Sequence, residues 1–135
     1  MEEMTLRVPV TVKAKVTETL KNNILSDLKT RLTMVEQELE QIEVQAKRML
    51  TEQAKIDAQG LIELRQQIED EKQKRLQFKV EVTAKLEEAE QLEIGSEIAQ
   101  GTIEQTITVK VGDNLDDCMK SEILLEDGKI IAFRS

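Results

Sequence analysis

Apolar residues follow two different spacings near the start of the chain. In MTLRVPVTVKAK, which begins at Met4, they occupy every second position, as in a β-strand with one buried face. From Leu25 onwards they recur three and four positions apart, as along one face of an α-helix. The pattern therefore predicts a strand over about residues 4–13 and a long helix after it.

Two helical series follow, each with the alternating three- and four-residue steps of a coiled-coil heptad. The first comprises Leu25, Leu28, Leu32, Val35, Leu39, Ile42, Ala46, Met49, Gln53 and Ile56. The second comprises Leu61, Leu64, Ile68, Glu71, Arg75, Phe78, Val82, Lys85, Ala89 and Leu92. Between them, the sequence DAQG at Asp57–Gly60 suits a short helix–helix turn, in which Gly60 is free to adopt a positive φ. An antiparallel pair of helices is the expected result.

The charges indicate how the two series meet. The first carries a block of Glu residues between two basic pairs, and the second carries a mostly basic block between two acidic ones. Folding the chain antiparallel places Glu43 opposite Lys74 and Glu38 opposite Lys79. The further expected pairs are Lys47 with Asp70, Arg48 with Glu69, Lys29 with Glu88, Leu25 with Leu92, Val35 with Val82, Leu39 with Phe78 and Met49 with Ile68. In every pair the residue numbers add to 117, so charged and apolar positions favour the same register.

One alternative stays open at this point. If one continuous helix ran through Gly60, two chains would pair antiparallel with the same register. Glycine inside a helix costs roughly 1 kcal/mol relative to alanine. This cost favours a hairpin within one chain.

The sequence after the second helix predicts three more strands. Gly95, in LEIGSEI, is a natural C-terminal cap for that helix. Alternating apolar residues then predict strands over 102–111, 122–126 and 129–134, with Asp127-Gly128 as the turn of a closing hairpin.

Two features of the predicted strands concern their neighbours. Pro9 lacks an N–H group, so an edge position or a bulge is expected there. The closing hairpin is apolar on both faces, so one face should line a small β core and the other should meet the helix base or another chain. Its apolar residues are Ile123, Leu124, Leu125, Ile130, Ile131 and Phe133.

Together these elements predict an α+β fold. It consists of a long antiparallel α-helical coiled-coil hairpin and a small β-domain, which is formed by the N-terminal strand and three C-terminal strands. The expected division is residues 1–14 for the N-terminal strand, 15–94 for the hairpin with its turn near 57–60, and 95–135 for the rest of the β-domain.

Composition narrows the expected setting of the protein. The 135 residues carry a net charge of −8, so the chain as a whole repels nucleic-acid phosphates, and neither direct DNA binding nor RNA contact is expected. No apolar stretch approaches the roughly 20 residues that cross a bilayer, and the first residues lack a secretory signal. A single Cys fits a reducing compartment. We therefore expect a soluble cytoplasmic protein with no membrane contact.

The acidic segment GDNLDDC is the first candidate for chemistry. Asp113, Asn114, Asp116 and Asp117 could suggest a divalent cation, but the spaced oxygens and terminal Glu of a calcium loop are missing. The favoured interpretation is that Asp113 or Asn114 caps a short helix whose first turn is acidic. Cys118 on that helix is expected to be a small buried apolar residue rather than an activated thiol.

Glu71 and Arg75 are the second candidate, because both occupy seam positions of the second helix. A Glu there could act as an acid, yet polar layers in coiled coils more often set register, and these two side chains can pair along one turn. Histidine is absent, and no phosphate-binding Gly loop, Ser–His–Asp set or CxxC motif occurs. We therefore predict no enzyme activity, no cofactor, and no catalytic, cofactor-binding or metal-ligating residue.

The order of segments resembles the YlqD family of small proteins from Firmicutes and cyanobacteria. The resemblance covers nearly the whole chain, and its specific part is the C-terminal third, with IGSEI, VKVGDN and ILLEDGKIIAFR. It implies the α+β fold but supplies no activity and no site residues. In Firmicutes the family's genes tend to lie near ribosome-maturation genes, which implies a link to translation.

We expect a non-enzymatic protein–protein interaction or scaffold module with an unidentified protein partner, and a chaperone-like role is one form of it. The alternative is a ribosome- or RNA-associated factor that acts through protein contacts. Self-association is expected mainly through the β end, leaving the tip near Asp57–Gly60 free. Apolar residues off the seam do not form one stripe; they are Ile24, Met34, Val44, Leu50, Ile62, Leu76 and Val80.

Overall fold

The fold was obtained as a computed structural model that describes residues 2–135. Its elements are β1 (Glu3–Lys15), α1 (Glu18–Ala54), α2 (Ala58–Glu90), β2 (Glu97–Lys110), α3 (Leu115–Cys118), β3 (Glu122–Glu126) and β4 (Lys129–Arg134). They form two compact units. The sheet unit comprises Met1–Asn22 and Leu92–Ser135, and the helical unit, which we call the arm, comprises Asn23–Gln91. The predicted α+β fold with a helical hairpin is confirmed.

The sheet unit is built on one mixed four-stranded sheet in the order β2-β1-β3-β4. β1 pairs antiparallel with β2 along its whole length, from Glu3 opposite Lys110 to Lys15 opposite Glu97. β3 pairs parallel with β1 only over Thr11–Ala14, and β4 pairs antiparallel with β3. The paired β1 and β2 strands therefore extend well beyond the four-stranded part.

The two faces of this sheet differ in polarity because side chains alternate along each strand. One face is apolar; its β1 members are Met4, Leu6, Val8, Val10, Val12 and Ala14, and their β2 partners include Val109, Ile107 and Ile103. Val8, Val10 and Ala14 are buried there, and Val16 just beyond β1 is fully buried. The hydrophobic core of the sheet unit thus lies along β1.

The opposite face is polar and carries ion pairs between strands. Lys13 Nζ lies 2.9 Å from Glu122 Oε1, and both guanidinium nitrogens of Arg134 donate to the Glu97 carboxylate at 2.6 and 2.9 Å. β2 and β4 are the outer strands, so an ion pair between Glu97 and Arg134 requires the sheet to curl at this end. The buried Leu124 lies on this face between the charged side chains.

The predicted strands are confirmed, and β1 and β2 are longer than predicted. Pro9 lies in an internal strand, opposite Glu104 of β2. Thr11 donates its N–H to Ser121 O on the β3 side, so Pro9, two residues earlier, directs its nitrogen to the same side. β3 does not reach Pro9, so the missing N–H faces an open edge, as the sequence predicted.

The predicted closing turn is confirmed as well. Asp127 and Gly128 both have positive φ, 49° and 84°, as a type I′ hairpin turn requires. Asp127 Oδ1 accepts a 2.6 Å hydrogen bond from the Thr17 hydroxyl, whose oxygen accepts the N–H of Leu20 at 3.1 Å. Thr17 therefore caps the start of α1 and holds the hairpin turn beside it.

Gly95 does not have the predicted role. α2 ends at Glu90 and Gln91 is its cap, so Gly95 lies beyond the helix. Gly95 has a φ of 94° and donates its N–H to Val16 O at 2.8 Å, just before β2 begins. The prediction of a helix C-cap was wrong because the helix had already ended without a left-handed residue.

The arm is a hairpin of α1 and α2 within one chain, and its turn lies earlier than predicted. α1 ends at Ala54, and Asp57 caps α2 with an extended backbone and a carboxylate that accepts the N–H of Gly60. Gly60 therefore lies inside the first turn of α2, and the predicted positive φ at Gly60 was wrong. The physical reason is that an Asp at the N-cap starts a helix at the next residue.

The predicted seam of α1 is confirmed over most of its length. Leu28, Val35 and Ala46 are buried, whereas Met49 and Ile56 are exposed. In α2 the seam is only partly as predicted: Val82 and Ala89 are buried, but Phe78 is 43% exposed.

Three residues predicted for the seam of α2 are exposed: Glu71, Phe78 and Lys85. The half-buried residues that face α1 in their place are Lys72, Lys79 and Leu86. Long Lys side chains can lay their methylene stems along an apolar surface and keep the ammonium in water. Lys72 and Lys79 can therefore occupy positions that face α1, while Phe78 stays exposed.

The ion pairs between the helices correct the predicted charge register. Lys72 Nζ lies 3.6 Å from Glu43, Arg75 Nε lies 3.4 Å from Glu38, and Lys79 Nζ lies 3.6 Å from Glu36. Glu43 was predicted to face Lys74, and Glu38 to face Lys79. The predicted charge pairs were therefore wrong by two to four residues along α2, because a different row of α2 faces α1.

Candidate functional site

The half of the arm near the turn is packed less tightly than the half near Asn23 and Gln91. The buried residues of the second half are Leu28, Val35, Val82 and Ala89. In the half near the turn, Ala46 is the only buried apolar residue within residues 2–135. Ala46 is small, and no aliphatic residue of α2 between Ile68 and Val82 is buried. The space beside Ala46 is therefore not filled by the arm itself.

Two grooves result, and both include Ala46 and Ile68 in their walls. The first has a volume of about 210 Å³ and is mainly apolar. Its other lining residues are Ile42, Gln45, Met49, Leu64, Gln67 and Glu71. The apolar side chains come from both helices, so the hairpin itself forms this groove.

The second groove is wider, with a volume of about 560 Å³. Leu50 and Ile62 add apolar surface to Ala46 and Ile68, and Ile62 is 69% exposed. Its polar lining residues are Arg65, Gln66, Glu69 and Lys72. The second groove therefore combines an apolar floor with charges of both signs.

Ion pairs organise the arm beside the first groove. Arg75 donates to the Glu71 carboxylate along one helical turn and also pairs with Glu38 of α1. The hydrogen bond from Arg75, together with the positive charges of Arg75 and Lys74, holds the pKa of Glu71 below its ordinary value. Glu71 is thus an ion-pair partner, and the predicted pairing of Glu71 with Arg75 along one turn is confirmed.

The acidic segment after β2 has the predicted capping geometry. Asn114 Oδ1 accepts the N–H of Asp116 at 3.0 Å at the start of α3, and Asp113 Oδ2 accepts the N–H of Lys110 at 2.7 Å. Asp117 pairs with Lys120 at 3.7 Å. Within residues 2–135, no three His, Cys, Asp or Glu side chains converge as a metal ion requires.

Cys118 ends α3 and is a free thiol that is half-buried rather than fully buried. The closing hairpin keeps large apolar side chains exposed on β4. They are Ile130, Ile131 and Phe133. Neither α1, α2 nor α3 carries an apolar stretch that would cross a bilayer, within the part of the chain that the structure describes.

The grooves were not predicted from the sequence. Leu50 and Ile62 were recognised as apolar residues off the seam, but their scattered spacing gave no reason to join them. The signal that could have found the site is Ala46, a small residue at a seam position, opposite a stretch of α2 rich in Gln and charged residues. A short side chain at a helix–helix contact leaves volume that its neighbours must fill.

Comparison with known proteins agrees with the predicted resemblance. The YlqD protein family matches residues 4–134. None of the curated proteins compared with the chain matches it. A solved structure of a protein of unknown function from Synechococcus sp. WH 8102 has the same fold, with a TM-score of 0.80 and 23% sequence identity over 98% of this chain and 95% of that one. Because the family match spans nearly every residue, the chain belongs to the YlqD family.

Proposed function

We propose that this protein is a non-enzymatic protein–protein interaction module, whose arm binds apolar segments of partner polypeptides in a chaperone-like manner. The observation that carries the proposal is the pair of grooves that share Ala46 and Ile68. Apolar surface between two helices is a common binding site for apolar side chains of another polypeptide.

The size of the first groove favours side chains over a whole small molecule. Pockets for drug-sized ligands usually measure about 300–1,000 Å³ and enclose most of the ligand. The first groove, at about 210 Å³, is smaller than this range, whereas the second, at about 560 Å³, falls within it but is open to water at Ile62. An apolar side chain or two from a polypeptide fits that volume, and the charged residues beside the second groove can pair with polar groups that flank such side chains.

A direct test uses a polypeptide that stays unfolded, such as reduced and alkylated lactalbumin. We expect the native chain to bind it and to slow its aggregation. Ile62→Glu should weaken binding tenfold or more, because a charge in the apolar floor of the second groove loses its hydration when the groove fills, and each factor of ten corresponds to about 1.4 kcal/mol.

Val80→Glu is the matched control. Val80 lies on α2, is also 69% exposed, and lines neither groove. Both variants replace an equally exposed aliphatic residue of α2 by Glu, so they add the same charge at two different positions. Equal losses in both variants, or no loss in Ile62→Glu, would contradict binding in the grooves.

The alternative function, a ribosome- or RNA-associated factor, needs a separate test. Partners captured on the immobilised chain are compared with and without nuclease treatment. Capture that survives nuclease and is lost in Ile62→Glu supports the interaction module. Capture that disappears with nuclease favours the alternative.

A further inference from the structure

The sheet has three open edges, and they are protected to different degrees. Unpaired strand edges expose N–H and C=O groups that can pair with another chain, and proteins usually block them with Pro, charges, bulges or short strands. The open stretch of β1 before Thr11 contains Pro9 and the charged Arg7. β4 is short and has Lys129 and Arg134 at its two ends. Pro9 therefore blocks the open stretch of β1, and β4 carries a positive charge at each end.

The outer edge of β2 is less protected along its middle, where it has no Pro and no bulge and where Glu104 is its one charged residue. The backbone N–H of Thr11 points towards β3, so the N–H and C=O groups of the even-numbered residues of β1 point towards β2. The β2 residues that pair with them are odd-numbered. The N–H and C=O groups that point outward from β2 therefore belong to its even-numbered residues. They are Thr102, Glu104, Thr106 and Thr108 in the stretch 102–108, which contains no Pro and no Lys.

Both ends of this stretch are closed by the structure. At one end, the register with β1 shifts next to Gly101, and the Glu97 carboxylate is held by Arg134. At the other end, Asp113 accepts the outward N–H of Lys110 and donates its own N–H to Lys110 O. The open edge thus has a defined length, and its midpoint is Gln105.

We propose that two copies of this chain pair along β2, antiparallel, about a twofold axis at Gln105, and so join their sheets edge to edge. This register uses all four outward-facing residues of each copy: Thr102 bonds with Thr108 of the second copy, and Glu104 with Thr106 of the second copy. A symmetric contact of this kind closes on itself and gives a dimer rather than a fibre.

The side chains of the stretch match in this register. On the apolar face, Ile103 of one copy meets Ile107 of the other, and Ile103 is 50% exposed in the single chain. On the polar face, Thr102 meets Thr108, and Glu104 meets the hydroxyl of Thr106. Cross-strand pairs of β-branched or Thr residues each stabilise a sheet by roughly 0.2–1 kcal/mol. No charged residue lies directly opposite a like charge.

This dimer contact involves the sheet unit only. It is therefore independent of the proposed binding by the arm, and each can fail without the other.

Disulfide trapping tests the register directly, in a Cys118→Ser background. Gln105 and its copy form a pair that is not hydrogen-bonded, whose Cα atoms lie about 4.5 Å apart in an antiparallel sheet, within the range that a disulfide accepts. We expect Gln105→Cys to form a disulfide-linked dimer rapidly on mild oxidation. In Ile103→Cys and Ile107→Cys, the two thiols are separated by four positions along the strand, roughly 13 Å, and linkage should be at least tenfold slower.

A linkage maximum at Ile107→Cys or Ile103→Cys, equal rates at all three positions, or no linkage at Gln105→Cys would each overturn the proposed register.

Sedimentation tests the hydrogen-bonded edge. Thr106→Pro removes an outward N–H but no bond between β1 and β2, so it should convert the dimer to a monomer with an unchanged circular dichroism spectrum. Thr106→Val keeps the N–H and the β-branched shape, and it should remain dimeric. A native chain that sediments as a monomer, or a Thr106→Pro variant that stays dimeric, would overturn the proposal.

Discussion

The half of the arm near the turn and the half near Asn23 and Gln91 share a heptad spacing, but only the second half has a packed core. In that half, Val35 and Val82 are 2% and 3% exposed, so aliphatic side chains from both helices are excluded from water. Near the turn, Met49 is 45% exposed and Ala46 lines two grooves. Apolar spacing in one helix is therefore not sufficient for burial, because the facing row of the partner helix must also be apolar.

Charged residues occupy that facing row in the middle of α2. Lys72, Arg75 and Lys79 pair with the Glu block of α1 across the hairpin. Exposed ion pairs of this kind stabilise a fold far less than the burial of an aliphatic side chain does. The loosely packed part of the arm is consequently the part that leaves apolar surface open in the two grooves, where we propose that a partner binds.

The largest expected effect comes from removing aliphatic volume at the packed end. Leu28→Ala should lower the free energy of unfolding by about 2 kcal/mol or more, because a buried Leu loses its contacts and leaves a cavity. The matched change near the turn, Met49→Ala, should cost less than about 1 kcal/mol, since Met49 is half in water already. Urea unfolding followed by circular dichroism measures both. Equal losses of unfolding free energy in the two variants would mean that the two halves of the arm are packed alike.

A smaller effect is expected from the ion pairs, and a double-mutant cycle measures it. Glu36→Lys and Lys79→Glu should each destabilise slightly, and the double variant should recover about 0.2–1 kcal/mol, because Glu36 and Lys79 are partners. The cycle for Glu38 and Lys79, the pair predicted from the sequence, should give a smaller coupling energy. A larger coupling for Glu38 with Lys79 would restore the predicted charge register.

The smallest effect concerns pH. The pKa of Glu71 is lowered by its hydrogen bond from Arg75, so the folded state favours the ionised carboxylate more than the unfolded state does. The stabilisation is therefore present above the ordinary carboxyl pKa and is lost as the pH falls through the lowered pKa of the folded state.

Melting temperatures measured against pH test this assignment. In Glu71→Gln, the drop in melting temperature on acidification should be smaller than in the native chain. An Arg75→Gln variant should behave in the same way, because it removes the group that lowers the pKa. An unchanged acid response in both variants would assign the effect to other carboxylates, such as Glu97, whose pKa is lowered by Arg134.

Local signals in the sequence were sufficient where the physics is local. Asp127 and Gly128 both adopt positive φ in a two-residue turn, which Asp-Gly favours in any surroundings. Asn114 caps α3 by accepting the N–H of Asp116, two residues later. Both were predicted correctly. Gly60 and Gly95 were misassigned because a nearer residue, Asp57 or Gln91, had already started or ended the helix. The candidate grooves could not be predicted, since they depend on which residues of α2 face Ala46.

The α+β fold, the hairpin of two long helices, the number of strands and the family could be predicted from the sequence, because spacing, turn residues and motifs depend on neighbouring positions. The rotation of α2 against α1 could not be predicted in this way; it exposes Phe78 and turns Lys72 and Lys79 towards the Glu block. The same holds for the position of β1 between β2 and a short parallel β3, which leaves the outer edge of β2 open. Rotation and strand order are set by the sum of many weak contacts between distant segments, and no single stretch of sequence contains that sum.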